Sequence, residues 1–161
     1  MNMGESYDFP RAEVFWPGAE GPPGQRVFFL AGGDEAGLVY LRCEKQQVAA
    51  LGEYLLALLD DLSPDVEPSQ GHGAVTPLPF AWDVGSIGVK YDEPEGRIVV
   101  VLEELAGEEE DRPATARFCF TLAQAAAFGL FALDLVSRGR PDCPMCGLPM
   151  DAEGHVCPRM N

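Results

Sequence analysis

The sequence predicts an α+β fold: two β-β-β-α units, each an antiparallel meander followed by a helix, and then a short cysteine-rich tail. Three observations predict it. Short runs of β-branched and aromatic residues alternate with Gly- and Pro-rich turns, and twice they give way to a stretch with helical spacing. The two helical stretches also match each other at an offset of 77 residues.

In chain order, residues 1–10 (MNMGESYDFP) carry little periodicity and form a lead-in, with Tyr7 and Phe9 beginning a strand. Glu13 to Trp16 reads as a strand broken by Pro17-Gly18. After the turn AEGPPGQ, Arg26 to Leu30 is a second strand, and after GGDEAG, Leu38 to Cys43 is a third. From Glu44 the period becomes helical: Val48, Leu51, Leu55, Leu58 and Leu62 share a face, and Glu44 suits the positive end of the helix dipole. Ser63-Pro64 ends this helix, and the Pro- and Gly-rich stretch 64–81 is a connector carrying His72 between two glycines as an exposed loop residue. The second unit has the same order. Trp82 to Tyr91 and Arg97 to Leu102 are strands around the turn DEPEG, and the acidic run Glu108 to Asp111 forms a solvated hairpin loop. Ala116 to Phe120 is the third strand, and Thr121 caps a helix from Leu122 to about Arg138.

Laid together at the offset of 77, Gln47, Ala49, Ala50, Gly52, Leu56 and Leu58 meet Gln124, Ala126, Ala127, Gly129, Leu133 and Leu135. The turns PPGQR and EPEGR are alike as well. A glycine inside a helix costs about 1 kcal/mol against alanine, so one at the same place in both implies close approach of each helix to the sheet or to its twin. The chain thus divides into a duplicated α+β domain over 1–140, with repeats about 11–63 and 82–139, and a segment 141–161 of its own character.

That last segment, PDCPMCGLPMDAEGHVCPRMN, holds Cys143, Cys146, His155 and Cys157 within fifteen residues. A Cys-x-x-Cys pair offers two thiolates from one tight turn, here aided by Pro144 and Gly147, and zinc accepts four thiolate or imidazole ligands tetrahedrally. His155 and Cys157 alternate, so both point from one face of an extended arm. Four protein ligands make a closed structural zinc site, a zinc knuckle with no open position for water. The alternatives are a disulfide or free thiols at Cys143 and Cys146, and a water in place of His155. An odd count of five cysteines, with no signal-peptide pattern at the start, favours the metal. Cys43 and Cys119 lie in apolar runs and read as buried small hydrophobes.

Composition narrows the partners. A hydrophobic fraction of 47% over 161 residues suffices for a globular core, and no stretch reaches the length of a membrane span, so the expectation is a cytoplasmic protein. A formal net charge of −15 opposes phosphate-led binding of nucleic acid and suits simple solvation or a basic protein partner.

FWPGAEGPPGQRVFFL, EKQQVAAL and above all the tail resemble an uncharacterised, mainly actinobacterial family, the domain of unknown function three thousand and ninety. The resemblance covers nearly the whole chain and implies a small cytoplasmic protein ending in a zinc-knuckle-like segment, with no enzymatic activity assigned to the family as a class. The middle connector is shorter than is usual in that family.

The function expected is a non-enzymatic binding or regulatory module that offers a rigid knuckle surface to an unidentified partner protein. Leu130, Phe131 and Tyr54 fall off the main helical stripes, either as a dimerisation face or as further core. Glu44 to Gln47 reads as a recognition patch or as a polar first turn. As an enzyme the chain lacks a nucleophile elbow, a P-loop and a dinucleotide fingerprint, and neither Ser86 nor Ser137 has a histidine nearby in sequence. If His155 is not a ligand, the open zinc would restore hydrolytic chemistry with Glu153 or Asp151 as base. A nucleic-acid-binding zinc ribbon is the third class; Arg138, Arg140 and Arg159 favour it, and Asp142, Asp151 and Glu153 cancel them.

Overall fold

Alternating apolar residues bounded by Gly/Pro turns become strands here, and the helical stripes become helices, in the expected order. The structure is a computed structural model that describes residues 4–22, 24–71, 79–105 and 112–138. It contains β1 (Tyr7–Phe9), β2 (Val14–Glu20), β3 (Val27–Asp34), β4 (Gly37–Cys43), α1 (Lys45–Leu62), β5 (Val84–Asp92), β6 (Arg97–Glu104), β7 (Thr115–Thr121) and α2 (Leu122–Ser137). Each of the six expected strands and both helices is present within a few residues of its expected bounds.

Two details differ. The strand expected to begin at Tyr7 and Phe9 is present as β1, but it pairs in parallel with β7, so the second sheet is not a pure meander. On α1 the buried stripe is Val48, Leu51, Leu55 and Leu59; Leu58 packs at its edge and Leu62 is 37% exposed. A true 3.6-residue period steps from Leu55 to Leu59 by one turn, whereas the stripe expected from sequence steps from Leu55 through Leu58 to Leu62.

The sheets run β1-β7-β6-β5 and β2-β3-β4. Each unit lends its lead-in to the other unit's sheet. β1 of the first unit pairs with β7 of the second, with Tyr7 opposite Ala116 and Phe9 opposite Phe118. In return, residues 81–83 of the second unit run beside β4 of the first: Ala81 N–H donates to Tyr40 O at 2.8 Å, Arg42 N–H to Trp82 O at 3.1 Å, and Arg42 bridges Asp83 in parallel. An Arg–Asp pair crosses each of these junctions, Arg117 to Asp8 at 2.9 Å and Arg42 to Asp83 at 2.8 Å. The exchange is reciprocal, as a twofold relation between the units requires.

Alternate residues of both sheets and the facing sides of both helices form one core. It includes Phe28, Leu30 and Leu41 from one sheet, Ile98, Val100, Phe118 and Phe120 from the other, and Leu55 and Phe128 from the helices. Phe15 lies at its centre, with ring centroids 4.8 Å from Phe120, 4.9 Å from Phe128 and 5.1 Å from Phe118. On the opposite face of the three-stranded sheet, Phe29, Ala31 and Tyr40 are covered by Phe80.

The helix glycines mark where α1 and α2 cross. A Cβ on Gly52 would lie 2.9 Å from the Ala132 Cβ, and one on Gly129 would lie 2.5 Å from the Leu56 Cγ. Of the two readings of these glycines, sheet or twin, the twin is the neighbour. Since residue 52 meets 132 and residue 56 meets 129, the helices pass antiparallel, and the end of each lies beside the start of the other.

Candidate functional site

The reciprocal plan creates two grooves, each between the helix of one unit and the first edge strand of the other. α1 faces β5, and α2 faces β2. A glutamine in the first turn of each helix ties the mouth of its groove. Gln47 accepts the Glu44 N–H at 2.7 Å and donates Nε2 to Val84 O and Gly85 O at 3.2 and 3.1 Å. Gln124 accepts the Thr121 N–H at 2.8 Å and donates Nε2 to Ala12 O and Glu13 O at 3.0 and 3.2 Å.

Below these ties the grooves differ. The helix offset of 77 pairs Cys43 with Phe120, and the sheet ladders carry the equivalence on. Cys43 faces Phe28 as Phe120 faces Ile98, so Ala31 matches Val101; Trp16, opposite Ala31, therefore matches Gly88, opposite Val101. In the α2–β2 groove the indole of Trp16 stacks on Phe131 at 4.6 Å. On β5 the position equivalent to Trp16 is Gly88, so no indole stacks on Tyr54, the counterpart of Phe131, which is left 54% exposed. The result is an open apolar groove of about 410 Å³ lined by Gln46, Gln47, Ala50, Leu51 and Tyr54 of α1 and by Gly85, Ile87 and Val89 of β5. β5 is also an edge strand, so alternate backbone N–H and C=O groups face away from β6.

The twin groove is covered by the connector. Ser69 N–H donates to Ala123 O at 2.9 Å, and Pro68, Ser69 and Gly71 line a shallow cavity with Trp16, Ala127, Leu130 and Phe131.

A second cleft, of about 360 Å³, lies where β3 begins and β4 ends, with Arg26, Arg42 and Lys45 among its walls. Its charges are largely committed: Arg42 to Asp83, and Arg26 to Leu135 O at 3.3 Å and to the Phe28 ring at 5.5 Å. Cys43 borders this cleft but is buried and unoxidised. Loss of hydration, and after it the nearby Glu44 charge, pushes its thiol up to about 12. Cys119 is buried too, and burial leads the causes that raise its thiol. Thiols held protonated are poor nucleophiles, so both behave as the small hydrophobes expected.

The expected ligands Cys143, Cys146, His155 and Cys157 lie outside the described residues, as do His72, the acidic run 108–111, Arg140, Asp142, Asp151, Glu153 and Arg159. Among the described residues no group of three or more His, Cys, Asp or Glu side chains is placed to hold a metal, and no helix is long and apolar enough to cross a membrane. Tyr54 and Leu130, read together from sequence as one face, are both exposed but belong to different grooves. Gln47 of the first-turn patch is structural, being spent on the cap and on β5. Ser137 donates to Asp134 O at 2.7 Å, and Ser86 lies exposed on β5. Sequence reasoning missed the contribution of β5 to a surface; the signal was its two interior glycines, in VGSIGVKY, on a strand with one apolar face.

Fold and grooves together define a two-unit α+β protein whose units interlock through exchanged strands and crossed helices. The chain belongs to the family DUF3090, proteins of unknown function, whose profile it matches over residues 7–157. No curated protein and no solved structure matches it.

Proposed function

We propose that the chain is a non-enzymatic, cytoplasmic protein-interaction module that presents a structural zinc knuckle, ligated by Cys143, Cys146, His155 and Cys157, to a partner protein. The observation that carries this reading is the apolar strip of Tyr54, Ile87 and Val89 beside the end of α2, from which the tail departs. The antiparallel helices bring the end of α2 next to the start of α1, and Cys143 comes only five residues after Arg138. Three thiolates and an imidazole fill a tetrahedral zinc shell, and such a shell shapes a surface rather than activating water. The exposed Tyr54 beside the half-buried Ile87 and Val89 supplies apolar surface of the kind protein interfaces use at their centres.

The test pairs metal content with binding. Protein purified without a metal-affinity tag should carry one zinc per chain by mass spectrometry, and Cys146→Ala should carry none while the body stays folded. A partner recovered with the wild type, then purified and rebound, should lose affinity for Cys146→Ala. Metal-free wild-type protein, or a partner that binds both forms equally, would remove this reading. Full zinc occupancy in His155→Ala would show that the imidazole is not a ligand.

A further inference from the structure

Three of the chain's eleven Lys and Arg residues, Arg26, Arg42 and Lys45, stand in the wall of the cleft where β3 begins and β4 ends. We propose that this cleft binds a small organic phosphate by its phosphoryl group.

The first observation is local charge. In a chain of net charge −15, only Glu44 stands in the wall with the three cations, and Asp83 pairs with Arg42. Three positive charges against two negative ones leave the cleft positive where the molecule is negative. The positive end of the α1 dipole adds to this, since Lys45 is the first residue of that helix.

The second is that the fold does not require these charges. At the offset of 77, Arg42 and Lys45 match Cys119 and Leu122, and the register that matches Phe28 to Ile98 matches Arg26 to Gly96. The second unit thus builds the same corner with no charge at any of the three positions.

The third is a set of donors held ready. Arg42 spends one terminal nitrogen on Asp83 and Arg26 spends one on Leu135 O, and these bonds hold both guanidinium groups in place. The Arg26 Nε is buried and has no hydrogen-bond partner among the described residues. Leaving a buried donor of a charged group unpaired is costly, and Nε with a terminal nitrogen is the fork by which a guanidinium takes an oxyanion. Lys45 is exposed and pairs with no acid among the described residues, so its ammonium can turn to a ligand as a point charge.

Three cations suit a dianion better than a singly charged carboxylate, and a phosphate monoester is the dianion that such forks read. At about 360 Å³ the cleft has the size of a small-molecule site, larger than a bare ion needs, and Val27, 38% exposed, gives the organic part an apolar wall. This site goes beyond the zinc reading and uses none of its ligands.

The experiment titrates the full chain with phenyl phosphate, followed by phosphorus NMR and calorimetry. Saturable binding is expected, weakened by added salt, several-fold weaker in Arg26→Gln and Lys45→Gln, and unchanged in Lys90→Gln, a cation of β5 outside the cleft. Lys45→Gln removes an exposed charge and keeps the fold; if Arg26→Gln unfolds for want of its bond to Leu135 O, Lys45→Gln decides alone. No saturable binding, full affinity in Lys45→Gln, or an equal loss in Lys90→Gln would overturn the proposal. Benzoate binding more tightly than phenyl phosphate would overturn the phosphate, and inorganic phosphate binding as tightly as the ester would overturn the organic part. Cys146→Ala should bind phenyl phosphate as the wild type does; affinity lost together with the metal would move the anion to the zinc and overturn the cleft.

Discussion

Gln47 and Gln124 occupy the same position in two helices and do the same work with both ends of the amide. Each oxygen accepts from the N–H of its own helix cap, and each nitrogen donates to two consecutive carbonyls where the other unit's edge strand begins. One side chain therefore starts a helix and joins two units at once.

Removing either amide takes the side-chain partner from a cap N–H and from two carbonyls, both part-buried beside Gln47 and one of them exposed beside Gln124. Gln124→Ala and Gln47→Ala should each lower stability by about 1–3 kcal/mol, measured by denaturant unfolding. Gln124→Glu keeps the acceptor and loses the donor, and should fall between alanine and the wild type. Equal stability of all three would show that solvent replaces the tie to Ala12 and Glu13.

Gly52→Ala sets helix propensity against packing. Propensity favours alanine by about 1 kcal/mol. The new Cβ, however, lies 2.9 Å from the Ala132 Cβ, an atom with no rotamer by which to withdraw. The expected outcome is a net loss of about 1–3 kcal/mol by overpacking. Ala132→Gly in the same chain should restore part of it, a positive coupling readable in a double-mutant cycle.

The grooves predict unequal costs for their aromatic residues. Trp16→Ala removes a buried indole stacked on Phe131 and should cost about 3–5 kcal/mol. Tyr54→Ala, at the helix position that matches Phe131, should leave the fold within about 0.5 kcal/mol if nothing covers its ring. A markedly larger loss at Tyr54 in calorimetry would show that its ring is covered.

Cys43 gives a pH signature. Its folded pKa is raised from 9.0 to about 12, chiefly by desolvation, so below pH 9 the thiol is protonated in both states and its contribution is complete. As pH climbs from 9 toward 12 the unfolded chain releases the proton first, and stability falls by about 1.4 kcal/mol per pH unit from this group. Unfolding curves at pH 8 and pH 10.5 should show that loss in the wild type and a smaller one in Cys43→Val. Native Cys43 should also resist iodoacetamide at pH 8.

Element type and order were legible because short β-rich runs and long Ala/Leu stripes differ in period, and Gly/Pro turns punctuate them. The helix crossing was half legible: matched glycines announced close approach, but only the contact of Gly52 with Ala132 shows that the neighbour is the other helix. The strand exchange was not legible. Tyr7–Phe9 is three residues long, and nothing in YDF distinguishes pairing with its own unit from pairing with β7, over a hundred residues away. The groove was hidden for a similar reason. Gly88 and Trp16 become comparable only through the ladder register, which no local pattern encodes. Cys143, Cys146, His155 and Cys157, proposed as a donor set from their spacing, lie outside the described residues.

The exchanged strands also set the order in which the chain can be completed. Tyr7 pairs with Ala116, 109 residues later, so β1 waits for its neighbour until β7 has been synthesised. Residues 81–83 close the other junction against β4 within about forty residues. Contacts that distant in sequence slow folding. A ribosome stalled after α1 would display a unit with its partner's strand missing. The four-stranded sheet is therefore completed only once β7 has emerged.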